Sequence, residues 1–182
     1  MRPRRFEEYV YVLDVFPYGK PGKPFKGPIA QVVGETYFVL LEVCLRRDVS
    51  VNIGERLYVG KTGRDKVNFV VGKIRYEDLS GVAKRELERI VEELVKKREA
   101  EFVDFFNRAT AVTPRLHALQ LLPGVGKKYV RKILSERSKK PFESFEDIKN
   151  RTGLPNPAKI IAKRILEEII GPSDNYRLFV PC

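Results

Sequence analysis

Leu121-Leu122-Pro123-Gly124-Val125-Gly126-Lys127-Lys128 lies between two apolar stretches of helical spacing, the second of them edged with cations. Gly124 can take the positive φ that a tight turn between helices needs. Gly126, lacking a Cβ, lets a bulky partner reach the backbone where the next helix begins. The opening turn of that helix has amide N–H groups without intrahelical partners and carries the positive end of the macrodipole, so an anion is its natural ligand. Lys127, Lys128, Arg131 and Lys132 recur at four-residue spacing and share a face, while Val130, Ile133 and Leu134 turn the other way into a core. The pattern predicts a phosphate clamp in which Pro123, Gly124, Val125 and Gly126 supply the backbone and the four cations surround it.

Before the turn, Thr113-Pro114 has the residue types of an N-cap followed by a proline at the first helical position, and Leu116, Leu119 and Leu122 then form a stripe. These features predict a helix over 114–122. The block resembles the helix-hairpin-helix motif of DNA repair, recombination and ribosomal proteins, which implies a hairpin that binds phosphates without reading bases. A second, degenerate copy follows. Ser144-Phe145-Glu146-Asp147-Ile148 is a capped helix start, Thr152-Gly153-Leu154-Pro155-Asn156-Pro157 a turn, and 158–170 a helix with Ile161, Ile165 and Ile169 on one face. Asn156 and Pro157 stand where the first hairpin has Gly126 and Lys127, and the proline removes a donor. Gly153, Asn156, Lys159 and Lys163 are the binding residues expected there, with Arg164 as a further cation. Tandem copies of this motif pair about a pseudo-twofold axis and grip both strands of a duplex. The second copy here is open between binder and structural partner of the first.

The 182 residues are 43% hydrophobic, enough for one or two small domains with cores of their own. The net charge of +11 is uneven: 14 basic and 8 acidic side chains over 1–76 (+6), 7 and 9 over 77–112 (−2), 14 and 7 over 113–182 (+7). Two basic ends joined by a solvated middle fit two binding faces on a connecting helix. Before residue 76 the pattern is that of strands. The runs 9–13, 29–33, 37–44, 56–59 and 67–74 are rich in branched and aromatic residues and are separated by Gly, Pro, Asn and Asp. Five such strands predict a small barrel, and Val51-Asn52-Ile53-Gly54-Glu55-Arg56-Leu57-Tyr58-Val59-Gly60 resembles the Gly-acidic turn leading into a strand that is frequent in OB-fold and related barrels. The loop over 16–27 excludes helix by its prolines and glycines, and it interleaves Phe16, Tyr18 and Phe25 with lysines. Rings that stack on bases beside cations that meet phosphates suit a single strand. Tyr18, Lys20, Lys23, Phe25 and Lys26 therefore join the candidate nucleic-acid-binding residues, the alternative being a solvated basic loop with its rings tucked into the barrel.

Over 77–112, Leu87, Ile90, Val91, Leu94 and Val95 recur at helical spacing and Phe102, Phe105 and Phe106 continue the stripe. The expected fold class is thus α+β: an N-terminal OB-like β-barrel (1–76), a connecting helix (77–112) and a C-terminal all-α tandem helix-hairpin-helix domain (113–182).

The residues give an enzyme little to stand on. His117 is the single histidine and reads as a packing residue, and there is no Gly-x-Ser-x-Gly, P-loop or dinucleotide fingerprint. Asp147 lies 21 residues past Gly126, about where glycosylases that use this hairpin keep a catalytic Asp, but acids also suit the first turn of a helix. Cys44 and Cys182 have no metal-ligand spacing and, without a signal peptide, indicate a reducing cytoplasm. No apolar run approaches the ~20 residues of a membrane span. No catalytic residue, metal or cofactor is expected.

The order of parts, from Tyr9-Val10-Tyr11-Val12-Leu13-Asp14 through Leu122-Pro123-Gly124-Val125-Gly126-Lys127, resembles an archaeal family of unassigned function, domain of unknown function 655. Its members are usually thought to bind RNA and are linked by gene neighbourhood to translation and rRNA modification. The resemblance implies nucleic-acid binding and no proven activity. A barrel followed by tandem hairpins is also similar to the Holliday-junction-binding subunit of bacterial branch migration, whose third domain has no counterpart here. The expectation is a non-enzymatic, backbone-directed, largely sequence-independent binder of structured or duplex RNA or DNA. RNA stands slightly ahead of DNA, with the ribosome or the transcription machinery as candidate partners. The alternatives are an adaptor whose basic hairpin docks on an acidic ribosomal or polymerase component, or a DNA junction or repair binding protein.

Overall fold

The computed structural model describes residues 5–22 and 27–182. The chain divides into two compact units. The first runs to Ile90 and takes in Phe179–Cys182, and the second is Val91–Leu178.

In the first unit the branched and aromatic runs form β1 (Tyr9–Phe16), β2 (Ile29–Gly34), β3 (Leu40–Leu45), β4 (Arg56–Tyr58) and β5 (Val67–Lys73). They make one antiparallel sheet in the order β4-β1-β2-β3-β5. Leu13 is an extra residue between the pairs Val12↔Val32 and Asp14↔Gln31. A bulge of this kind bends and twists its strand, and the sheet curls into a half-barrel. The expected small barrel does not close: β4 is three residues long, and among the described residues it is not paired with the other edge, β5. Val10, Val12, Ala30, Val32, Val43 and Leu57 are buried together as the core of this unit.

The alternate positions of β2 and β3 are buried too, and two of them are polar, Gln31 and Glu42. A buried amide must find partners. Gln31 donates to the Asp78 carbonyl and accepts from the Ser80 N–H, both at 2.9 Å. Ser80 Oγ donates to Asp14 at 2.6 Å and accepts from the Ala83 N–H at 3.0 Å. It thereby caps α1 (Gly81–Lys97). Glu7, also buried, accepts from the Thr36 and Tyr37 N–H groups at 3.0 and 2.7 Å, and a Cβ at Gly34 would collide with its carboxylate.

The connecting helix expected over 77–112 is two helices, α1 and α2 (Glu99–Arg108), broken at Arg98 with φ −101° and ψ 34°. The stripe through Leu87 and Leu94 would next bring residue 98 to the core. A guanidinium stands there instead, and burial resumes with Phe102, Val103 and Phe106. A short 3-10 turn, Tyr76–Asp78, precedes α1.

The α-helix expected over 114–122 is absent, and 113–182 is accordingly not all-α. Ala111–Thr113 (β6) pairs with Leu116–His117 (β7), and a 3-10 turn, Ala118–Leu121, follows. Thr113 is the reason. Its hydroxyl accepts from the Arg115 N–H at 3.3 Å, closing a local turn around Pro114 instead of capping a helix. The remaining elements are α3 (Lys127–Lys139), α4 (Phe145–Thr152) and α5 (Pro157–Ile170).

Candidate nucleic-acid interface

The first hairpin runs from Leu122 to Gly126. Gly124 has φ +75°, a conformation that disfavours any side chain. Val125 turns inward and is 4% exposed, so it can offer a ligand only its backbone. Gly126 is the N-cap of α3 with φ −92° and ψ −173°, ordinary extended backbone. What this glycine contributes is space: a Cβ built on it meets nothing within 4 Å. No side chain caps α3. In contrast, Ser144 Oγ accepts from the Asp147 N–H at 2.9 Å at the start of α4, and Asn156 Oδ1 accepts from the Lys159 N–H at 3.2 Å at the start of α5. The amides opening α3 thus keep the donors that its neighbours have used.

Around that opening Lys127, Lys128, Arg131 and Lys132 are all exposed, with Val130 and Ile133 buried behind them. Lys132 lies 3.5 Å from Glu136, a surface pair of small energetic weight. Among the described residues no ion pair joins Lys127, Lys128, Arg131, Lys159 or Lys163 to an acid.

The second hairpin repeats the scheme with different residues. Gly153 ends α4 with φ +76° and is exposed, Leu154 is fully buried as Val125 is nearly so, and Asn156 is the N-cap with φ +44°. One more residue separates the left-handed glycine from the N-cap than in the first hairpin. Pro157 opens α5, and the Asn156 oxygen is committed to its cap. Pro123 and Gly124 from the first hairpin and Asn156, Lys159 and Lys163 from the second line a common cavity of about 300 Å³. Val125 and Gly126 line a more open one of about 570 Å³ with Glu167 and Asp174.

Two expected cations serve the fold instead. Arg164 is 2% exposed. Its Nε donates to Glu168 at 3.1 Å, Nη1 to the Leu121 carbonyl at 3.2 Å and Asp174 at 2.7 Å, and Nη2 to Asp174 at 3.1 Å and the Tyr176 carbonyl at 2.7 Å. Burial works against the charge, but Asp174 and Glu168 outweigh it and raise the pKa, while Arg164 holds the Asp174 carboxyl below its ordinary range. The second is Lys20, bonded to the buried Glu42 at 2.6 Å. In the same loop Tyr18 is 98% exposed. Lys23, Phe25 and Lys26 lie outside the described residues.

The two residues weighed for catalysis are held by local bonds. Asp147 accepts from the Glu143 N–H and from Arg151, and these lower its pKa in that order. His117 accepts the Leu119 N–H on Nδ1 at 3.1 Å, and Gln120 Oε1 accepts the His117 N–H at 2.8 Å, a reciprocal cap on the turn that leads into the first hairpin. Burial, and then Arg137, push the imidazole below its ordinary 6.5. The unfolded chain therefore takes up the proton first as pH falls through 6.5, and stability declines until the folded pKa is passed. Thermal melts of the wild type and of His117→Asn, whose amide oxygen can still accept, are expected to diverge below about pH 6.5 and run parallel above it. Parallel curves throughout would remove the imidazole from the cap.

Among the described residues no group of three His, Cys, Asp or Glu side chains could hold a metal ion, and no helix is long and apolar enough to cross a membrane. A family model described as "Protein of unknown function (DUF655)" matches residues 6–181. Uncharacterized protein MJ0038 of Methanocaldococcus jannaschii is 48% identical over 180 residues, 98% of this chain and 82% of that protein. The crystal structure of Af1531 from Archaeoglobus fulgidus, assigned to the same family model, is similar with a TM-score of 0.88 and 47% identity, covering 96% of this chain and 100% of that one. Both relatives are archaeal.

Proposed function

The chain belongs to the DUF655 family, and from that premise we propose that it is a non-enzymatic nucleic-acid-binding protein that grips structured or duplex RNA, or DNA, by its phosphate backbone. In this reading 118–139 and 145–170 are two helix-hairpin-helix copies, the first with its leading helix shortened to a 3-10 turn, and the half-barrel is an OB-like module. The observation that carries it is the uncapped start of α3, bordered by the exposed Lys127, Lys128 and Arg131, which among the described residues have no acidic partner. The second hairpin beside it adds Lys159 and Lys163. Phosphates want such a combination of backbone donors and mobile charge. The cations have no neighbouring Asn, Gln or Glu in α3's first two turns with which to read base edges, so binding is largely independent of sequence. RNA stands first because the family resemblance implies it; amides and lysines meet phosphates in either polymer.

The test is affinity against salt on several unrelated duplexes, for the wild type and for the double variant Lys127→Ala with Lys128→Ala. Log affinity is expected to fall linearly with log salt, and the slope to drop by about one ion for each charge removed. Strong preference among the duplexes would favour base readout. An unchanged slope would favour an acidic protein partner.

A further inference from the structure

Resting on that reading, we propose that the cavity shared by the two hairpins is a pocket for a single unpaired nucleotide of an otherwise structured nucleic acid. The cavity is about 300 Å³, at the low end for small-ligand sites and too small for a base pair with its backbone. Its lining is divided in character. Pro123, Leu154 and Ile160 are apolar, and Tyr129, half-buried on the first turn of α3, adds a ring. Lys159 and Lys163 stand one turn apart on the same face of α5 and are exposed at its edge. An apolar floor with a ring does not suit a bare phosphate, and two unneutralised ammonium groups do not suit an apolar side chain. A nucleotide answers both: its base lies against the Tyr129 ring, Pro123 and Pro155, and its phosphate meets the lysines. Asn156 adds a donor: its oxygen already accepts from the Lys159 N–H, and its NH₂ group can donate to an acceptor on the base.

The source is a nucleotide within a strand and not a free one, because the cations of α3 continue beside the cavity and would hold the flanking duplex. The second hairpin, degenerate as a clamp, then acquires a purpose of its own: Asn156, whose side chain occupies the Lys159 N–H, walls the pocket together with Pro155.

The experiment compares a blunt RNA duplex with the same duplex carrying one unpaired 2-aminopurine nucleotide. The wild type is expected to prefer the bulged duplex by about tenfold, with a change in 2-aminopurine fluorescence on binding, since stacking on a protein ring is worth that order. Tyr129→Ala should bring the ratio of the two affinities to about one. Because Tyr129 is partly buried, thermal melting checks its fold, and the exposed Lys163→Glu is the second variant, expected to lower the same ratio. Equal affinities for both duplexes in the wild type, or a ratio unmoved by both variants, overturn the pocket and leave the clamp standing. Loss of binding to every duplex overturns the clamp and the pocket with it. Free adenosine monophosphate that binds as tightly as the bulged duplex overturns the assignment to a strand.

Discussion

Arg164→Ala is expected to destabilise the second unit by about 3–5 kcal/mol, the cost of removing one partner from a buried ion pair. The guanidinium has five N–H donors, and Glu168, Asp174 and the Leu121 and Tyr176 carbonyls occupy them all. Glu168 is fully buried, so its carboxylate would lose the charged donor of Arg164 in a place where water cannot replace it. The Leu121 carbonyl lies immediately before the first hairpin, which ties the turn to α5 through this one side chain. Urea denaturation gives the size of the effect. Arg164→Lys should fall between wild type and Ala, because an ammonium keeps the charge but cannot reach both Asp174 oxygens and two carbonyls at once. Limited proteolysis should cut 172–178 first, since Asp174 and Tyr176 are held by the same group. A loss under about 1 kcal/mol for the Ala variant would show that the network is not what holds α5.

The sequence revealed most where a local rule had no competitor. The five strand runs are present with ends shifted by a few residues, because alternating branched side chains have few other ways to be buried. The left-handed Gly124 and the start of α3 follow from the hairpin residues themselves. Legibility failed where a distant partner decides. Thr113-Pro114 is a local failure: the hydroxyl that could cap a helix closes a turn onto the Arg115 N–H instead, and β7 pairs back on β6. Arg164 looked like one more surface cation after Lys163. One signal was available: Arg164 and Glu168 are four apart and lie on the side of α5 that also carries Ile161 and Ile165, where an opposite-charge pair is far from the solvent both would otherwise seek. Nothing short of the fold could have supplied Asp174 and Tyr176 as the remaining partners. Lys20 is a similar case, since the buried carboxylate that claims it stands on β3, far along the chain from its loop. Nothing in the hairpin pattern singles out Tyr129. Only the neighbouring hairpin turns one of its sides into a cavity wall.

Gly126→Asp is expected to move stability and binding in opposite directions. The backbone at Gly126 has the extended dihedrals normal for an N-cap, and a Cβ there has open space, so the substitution introduces no strain. Its carboxylate would accept from the first free amides of α3 and face the positive end of the helix, adding about 0.5 kcal/mol or slightly more to stability. Those same amides are the ones proposed to hold a phosphate. With the donors occupied and a like charge standing in the approach, duplex affinity should fall by about tenfold or more, near 1.4 kcal/mol. Gly126→Ser separates the two causes: it caps without the charge and should lose less affinity, with a weaker salt dependence of the loss. Gly124→Ala is the structural contrast, since φ +75° makes any side chain there cost about 1 kcal/mol or more whatever binds. Thermal melting and duplex titration of the three variants decide the matter. If Gly126→Asp binds duplexes as the wild type does while its melting point rises, the amides of α3 are capped at no cost to the ligand, and the phosphate must be held elsewhere.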